Sequence, residues 1–369
     1  MKLYKKHISD LGKVITGNTP RTSILENYGG KIPFLTPSDN LSEKFSPTTS
    51  KTLTKIGLNE VKNCLLPSKS ICVSCIGSDL GKVVLTKKPT VTNQQFNSIV
   101  PNEENDADFI YYLMTVVGKH LNYLSKTSTA VPIINKSTFA NYEIEIPNIK
   151  EQKRIGKILS SLDDKIELNR RINDNLEQQA QALFNEMFPH ITEGENMIGN
   201  LIMPKRGKGL LSKNAIKGDI PVVAGGIEPA TYHNQANTTA PVLTIAASGA
   251  NAGYINLWHI PVWASDSSYI DDSITPNVYF WYIMLKKRQK EIFDAQVGSA
   301  QPHIYPKHIA ELPMNVVFVE KIAEYNEIVT PIFEKKGQLY LESKRLTSLR
   351  DTLLPKLMSG ELKINDINN

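Results

Sequence analysis

Six short stretches of this chain offer Lys or Arg, or Asn, Gln, Ser or Thr, in turn-rich sequence, and several hold both kinds. Cations of this kind neutralise phosphates, and the amide and hydroxyl side chains pair with base edges. In the first half these are Lys13, Thr16, Asn18 and Arg21 around a Gly/Pro turn, then Gln94 and Gln95 in an Asn-Gln-Gln run, then Lys126 and Ser128. In the second half they are Lys205, Arg206, Lys208 and Lys213 in one loop, Ser248 and Asn251 in another, and Gln301, His303, Tyr305 and Lys307 in a third. Ordinary turn chemistry accounts for any one stretch as well as ligand binding does.

Motifs that would make or break bonds are missing. Cys72-Val73-Ser74-Cys75 has metal-ligand spacing, but a tetrahedral zinc site needs two further ligands, and no second pair of this kind occurs. The cysteines are expected to be buried thiols. Gly77-Ser78-Asp79-Leu80-Gly81-Lys82-Val83 imitates a phosphate-binding loop with the wrong spacing and no hydroxyl after its lysine, so a turn between strands is expected. There is no Pro-Pro pair, hence no Asn/Asp-Pro-Pro-aromatic methyltransferase tetrapeptide, and neither H-E-x-x-H nor G-x-S-x-G is present. His303 and His308 read as polar surface groups rather than a catalytic pair. We expect no catalytic residue and no metal site.

The elements that position these stretches come in two copies. Ser128-Thr129-Ala130-Val131-Pro132 and Gly298-Ser299-Ala300-Gln301-Pro302 stand 170 residues apart, proline to proline, and Leu162 and Ile332 keep the same offset. Nearer the start of each copy the offset drifts, with Gly77 against Gly249 at 172 and Leu11-Gly12 against Ile198-Gly199 at 187. Short apolar or β-branched runs bounded by turn residues predict strands at 32–35, 70–76, 82–85, 97–100 and 142–146, with a helix over 106–124. The second copy repeats this with strands at 221–223, 242–246 and 252–255 and a helix over 276–295. The fold class is therefore α+β, one mixed unit used twice about a pseudo-twofold axis.

Each copy ends in a long amphipathic segment. Leu159, Leu162, Ile166, Leu176 and Leu183 follow a 3-4 spacing interrupted by Asn169 and Asn173, and Ile332, Leu339, Leu346, Leu353 and Leu357 do the same with Lys336, Ser343 and Arg350 between them. We expect two long helices forming an antiparallel coiled coil, with Pro331 kinking or restarting the second and Gly337 weakening it. The expected domains are 1–147 and 190–316, separated by a central helix at 148–189 and followed by a C-terminal helix and tail at 317–369. Of 42 Lys+Arg and 37 Asp+Glu, residues 1–147 hold 17 and 12, so the whole +5 excess lies there. That excess fits a phosphate-binding surface or a solvated basic one.

Several motifs resemble those of the specificity subunits of type I restriction-modification systems. They are Ile146-Pro147 followed by Lys150-Glu151-Gln152-Lys153-Arg154-Ile155, Gly298-Ser299-Ala300-Gln301-Pro302-His303-Ile304, and the C-terminal run from Leu349-Arg350-Asp351 to Gly360-Glu361-Leu362. The second copy departs at Val319-Glu320-Lys321-Ile322, where the Glu-Gln pair is missing. The resemblance implies two target-recognition domains, each reading half of a bipartite double-stranded DNA target. It also implies a non-catalytic chain that binds two methyltransferase subunits and, through them, restriction/translocase subunits. S-adenosylmethionine, ATP and Mg would then sit on the partners and no cofactor on this chain. A diverged DNA methyltransferase or nuclease, and a β-rich interaction protein unconnected with DNA, are the competing expectations. With no apolar run long enough to cross a bilayer, and no signal-like core after Met1, a cytoplasmic location without membrane contact is expected.

Overall fold

A computed structural model of the chain describes residues 1–45, 48–125, 133–298 and 301–362. It divides into two compact units: residues 1–167 with 343–369, and residues 168–342.

In the first unit, a four-stranded sheet runs β2 (Gly12–Thr16), β9 (Phe96–Pro101), β6 (Ile71–Ser74) and β7 (Val83–Leu85), each neighbour antiparallel. A second sheet runs β4 (Lys51–Leu53), β3 (Tyr28–Leu35), β8 (Thr90–Thr92) and β5 (Leu65–Leu66), with the short helix α1 (Lys55–Glu60) alongside. A ribbon of β1 (Tyr4–His7) and β10 (Glu143–Ile146) ties the two ends of this segment together. Strand alternation fills both faces of the first sheet. Ile71, Val73 and Ile99 join the core beneath helix α2 (Ala107–Ser125), whereas Cys72, Val84 and Phe96 pack with Leu35 and Leu66 on the other side. Helix α2 comes close enough to the β6–β7 turn that a Cβ on Gly81, which has φ +88°, would lie 2.1 Å from the Gly118 carbonyl oxygen. Glycine is required there by both its φ and the close approach. Helix α3 (Lys136–Ala140) precedes β10, and helix α4 (Ile149–Met187) follows it.

The second unit repeats the plan. Its sheet runs β12 (Lys205–Arg206), β18 (Ser267–Ile270), β15 (Val242–Ala246) and β16 (Ile255–Trp258). The second sheet has three strands, β14 (Thr231–His233), β13 (Ile220–Val223) and β17 (Trp263–Ala264), and the ribbon is β11 (Asn196–Met197) with β19 (Pro313–Met314). The helices are α5 (Val278–Lys287), α6 (Gln289–Asp294), α7 (Pro306–Ala310) and α8 (Val319–Ser359). Where one helix was expected over 276–295 there are two. They part at Arg288, whose buried guanidinium turns to the Pro313 carbonyl and to Glu291. The strand expected at 252–255 lies at 255–258, because Gly253, with φ +88°, is still in the turn.

Within each unit, segments of α4 and α8 run antiparallel. In the first, Ile155 and Leu159 share a core with Leu354 and Leu357, and the Arg350 Nη1 donates to Asp163 Oδ1 at 2.6 Å. In the second, partners descend along α8 as they ascend along α4. Asn169 Nδ2 donates to Glu342 at 2.7 Å, Asn173 Nδ2 to the Lys336 carbonyl at 3.3 Å, Tyr325 Oη to the Ala180 carbonyl at 2.8 Å and Lys321 Nζ to the Met187 carbonyl at 2.7 Å. Of the expected seam, Leu159, Leu339 and Leu357 are buried, and Leu162, Ile166, Leu176, Leu183, Ile332, Leu346 and Leu353 are half-buried.

The deepest stripe of the second unit keeps Tyr325, one heptad before Ile332, but otherwise lies one position over, at Phe184 and Phe333, because these helices also face α5: Tyr279 stacks on Phe333 at 4.6 Å and Phe184 meets Phe280 at 5.4 Å. Two expectations for the second helix are corrected here. The helix does not restart at Pro331, since one lost amide bond is small against forty residues of packed helix, and Gly337 is not a weak point but a clearance. A Cβ there would lie 2.8 Å from the His259 ring.

The backbone also corrects the pairing of the two copies near their starts. His7 pairs with Glu143 and Met197 with Pro313, while Ile8 N donates to the Tyr142 carbonyl and Ile198 N to the Leu312 carbonyl. Ile8 therefore corresponds to Ile198, an offset of 190 rather than the 187 that sets Leu11 against Ile198. A Leu-Gly dipeptide resembles Ile-Gly in sequence, but the backbone pairing decides the register.

Candidate nucleic-acid interface

In the first unit Lys13 and Thr16 lie on β2 rather than in the turn, which begins at Gly17. Thr16 Oγ1 donates to Asn97 Oδ1 at 2.6 Å, and Asn97 Nδ2 donates to the Ile134 carbonyl at 3.1 Å. Gly17 N then bonds the Phe96 carbonyl and Asn18 N the Thr92 carbonyl, folding the turn onto the end of the sheet. Thr19 Oγ1 donates to Gln94 Oε1 at 2.7 Å, and Asn93 holds Gln95 by two bonds, from Gln95 N and to Gln95 Oε1. The fold thus brings Thr16, Asn18, Gln94 and Gln95 together, with Asn18 and Gln94 exposed. Lys13 is exposed further along the strand, opposite Val100.

Arg21 is engaged elsewhere. Its guanidinium donates twice to Glu60 Oε1, at 2.7 and 3.0 Å, and its amide to Oε2 at 2.9 Å. The Arg21 side chain and amide hold the Glu60 carboxyl down to about 2. Lys126 and Ser128 lie outside the described residues.

The second unit assembles its three stretches more tightly. Lys205 and Arg206 form β12 rather than part of a loop, and Lys205 Nζ donates to Ser273 Oγ at 3.0 Å. Arg206 Nη2 donates to Asp266 Oδ1 at 2.6 Å, and Ser248 Oγ donates to the other oxygen of the same carboxylate. Ser248 is bridged to His303 through the backbone, and the His303 ring stacks on Tyr305 with planes 10° apart. Gln301 accepts at its carbonyl from His303 Nδ1, while Asn251 closes the turn after Gly249 with its carbonyl. Lys208, Lys213 and Lys307 are exposed, and Lys208 is fixed at its backbone by Ala264 and Trp263. Asp266 joins the first two stretches, and Ser248 links them to the third. Nothing in the local sequence of Asp266 marks it, and an acid is not expected where phosphates bind.

Backbone bonds pair the two clusters position by position. Cys75 N donates to the Gln95 carbonyl as Ala247 N does to Asp266, and Ile134 N to Cys75 as Ile304 N to Ala247. Gly81 N donates to Ser74 as Gly253 N to Ala246, Gly17 N to Phe96 as Gly207 N to Ser267, and Asn18 N to Thr92 as Lys208 N to Ala264. Ile76 bridges Ile133 as Ser248 bridges His303. Thr16, Gln95, Ile76 and Ile133 therefore stand where Arg206, Asp266, Ser248 and His303 stand in the other unit. The main chain is one frame, and the side chains mounted on it differ in charge and polarity.

Cys72 and Cys75 belong to different apolar clusters, and burial pushes their thiols up to about 12 and 11. Among the described residues there is no group of three or more His, Cys, Asp or Glu placed to hold a metal ion, and no helix long and apolar enough to cross a membrane.

Residues 2–178 match the family model of the type I restriction modification DNA specificity domain. The chain is 26% identical to the type I restriction enzyme MjaIX specificity subunit of Methanocaldococcus jannaschii, over 98% of this chain and 94% of that one. It is 37% identical over 176 residues to the HindI specificity subunit of Haemophilus influenzae, covering 46% of this chain and 38% of the relative. A crystal structure of a type I restriction-modification S subunit from M. genitalium shares the fold, with a TM-score of 0.61 at 23% identity over 97% of this chain and 96% of that one.

Proposed function

From the premise that this chain is a specificity subunit of the type I restriction-modification family, we propose that it binds double-stranded DNA at a bipartite target, each unit reading one half. It has no catalysis of its own; methylation of adenine and cleavage are carried out by partner methyltransferase and restriction subunits, which bring S-adenosylmethionine, ATP and Mg. The observation that carries this reading is the shared backbone frame with unlike side chains. A scaffold used twice with different donors and acceptors at its tip suits two different short base sequences, since base edges are told apart by their donor and acceptor patterns. Thr16, Asn18, Gln94 and Gln95 serve the first half-site and Arg206, Ser248, His303 and Tyr305 the second. Lys13, Lys205, Lys208, Lys213 and Lys307 are placed to meet phosphates. The domains at 1–147 and 190–316 are the readers, and the helical segments 148–189 and 317–369 seat the two methyltransferases.

The test is to express the chain with its methyltransferase partner and map methylated adenines. A motif of two short sequences with a spacer of fixed length is expected, and no methyl incorporation by the chain purified alone. Incorporation by the isolated chain, or a motif in one piece, would overturn the reading.

A further inference from the structure

Arg206 and Asp266 form an exposed ion pair, with side chains 40% and 38% accessible. Pairs this open to water contribute little stability, so holding the fold together does not explain the geometry. Nor does the frame require the charges, because Thr16 and Gln95 occupy the same two positions in the first unit under the same backbone bonds. What the pair does is fix a guanidinium. Asp266 takes one N–H of Arg206 on Oδ1 and is itself immobilised on Oδ2 by Ser248. Ser248 in turn is tied through the backbone to His303. The guanidinium is thereby restrained through one N–H of Nη2, which leaves the second Nη2 N–H beside a neighbouring N–H as a two-donor edge for a ligand, on the last residue of a two-residue strand that leads straight into a turn.

A planar donor fork with its orientation restrained by a carboxylate matches the paired O6 and N7 acceptors of guanine in the major groove. A flexible cation would serve a phosphate equally well and would need no carboxylate behind it.

We propose that Arg206 reads a guanine in the second half-site, with Asp266 as its positioning residue. This assignment rests on the DNA-reading function above and adds to it the base and the residue. The first unit, with uncharged Thr16 and Gln95 in the matching places, reads its half-site without an arginine at that point of the frame.

The experiment uses the chain assembled with its methyltransferase. Equilibrium binding is measured on the target duplex and on a set in which each base pair of both half-sites is changed in turn. For the unmodified chain, replacing one G·C pair of the second half-site should weaken binding about 5–150-fold, the range for a bidentate contact. In Arg206→Gln that one penalty should fall below about threefold while the penalties at all other positions persist. Asp266→Asn should retain binding but lose most of the discrimination at the same pair, a result that a merely structural role would not give. If Arg206→Gln weakens all duplexes equally, Arg206 is a phosphate contact and the proposal fails while the DNA-reading function stands. It fails likewise if Asp266→Asn leaves the discrimination intact. Absence of any position-dependent penalty in the unmodified chain would instead overturn the DNA-reading function itself. Thermal melting of both variants identifies a misfolded protein, and a variant that fails to fold would also count against the proposal, since it would make the pair structural.

Discussion

Arg350 of α8 and Asp163 of α4 meet at 2.6 Å in the first unit, and the hydroxyl of Tyr112 on α2 donates to the other oxygen of the same carboxylate. Three helices are thus fastened at one acid. The second unit has its own version: Tyr282, 170 positions after Tyr112, donates to Glu177 on α4 at 2.9 Å, and Lys336 of α8 pairs with that glutamate. Both tyrosine hydroxyls are driven well above their ordinary range by burial and by the adjacent carboxylate.

Removing one partner of the first fastening leaves Asp163, whose side chain is only 9% accessible, without its counter-charge. Arg350→Met should therefore cost about 3 kcal/mol in urea unfolding, near the lower end for a broken buried pair because the guanidinium is partly solvated. The double change Arg350→Met with Asp163→Asn keeps an acceptor for Tyr112 and should recover at least half of that loss. A single variant within about 0.5 kcal/mol of the unmodified protein would show the pair to be dispensable.

Leu357 lies fully buried in the core that holds Ile155 and Leu159. Leu357→Ala should destabilise the first unit by about 2–5 kcal/mol, the range for emptying a leucine site. Leu346, half-buried on the same helix, should lose less under the same substitution, and unfolding curves for the two variants rank them.

Gly337→Ala runs against helix propensity. In an open helix the change stabilises by up to about 1 kcal/mol. Here the added methyl would lie 2.8–2.9 Å from the His259 ring and Cβ. We expect a net loss of about 1–3 kcal/mol. Calorimetry showing a raised Tm for Gly337→Ala would contradict this account of the glycine.

His259 is held down to about 4 by burial, with Lys336 adding to the effect and Glu177 opposing it. In the unfolded chain it titrates near its ordinary value of about 6.5. Between these two values the unfolded state binds more protons, so stability is lost as pH falls from about 6.5 towards 4 and is fully present above it. From pH 7 to pH 5 the loss should be on the order of 2 kcal/mol. Stability measured at both pH values in His259→Asn should show a correspondingly smaller difference, and an identical pH dependence in the two proteins would exclude the histidine as the source.

The sequence alone carried the two-copy plan, the α+β class, the long helices and the family resemblance, because each is written in local terms. Apolar spacing marks an element wherever it lies, and Cys72-Val73-Ser74-Cys75 in an apolar run reads as a strand without knowledge of its neighbours. The break at Arg288 is not legible there, since it depends on a carbonyl at Pro313 that only the folded chain brings near. The offset of 190 is hidden for the same reason: β1 and β11 are recognised by their partners β10 and β19, not by their own residues.

At the candidate interface the sequence supplied candidate stretches and not their relations. Arg21 and Arg206 look alike as cations beside turns, yet Glu60 engages the first and Asp266 orients the second, from 39 and 60 residues away in the chain. Periodicity and residue type, which act over a turn or two, settled what the elements are and that they occur twice. Which side chains meet, which charge is neutralised and which is aimed were decided by tertiary structure, because hydrogen bonds and ion pairs act over about 3 Å in space whatever the separation along the chain.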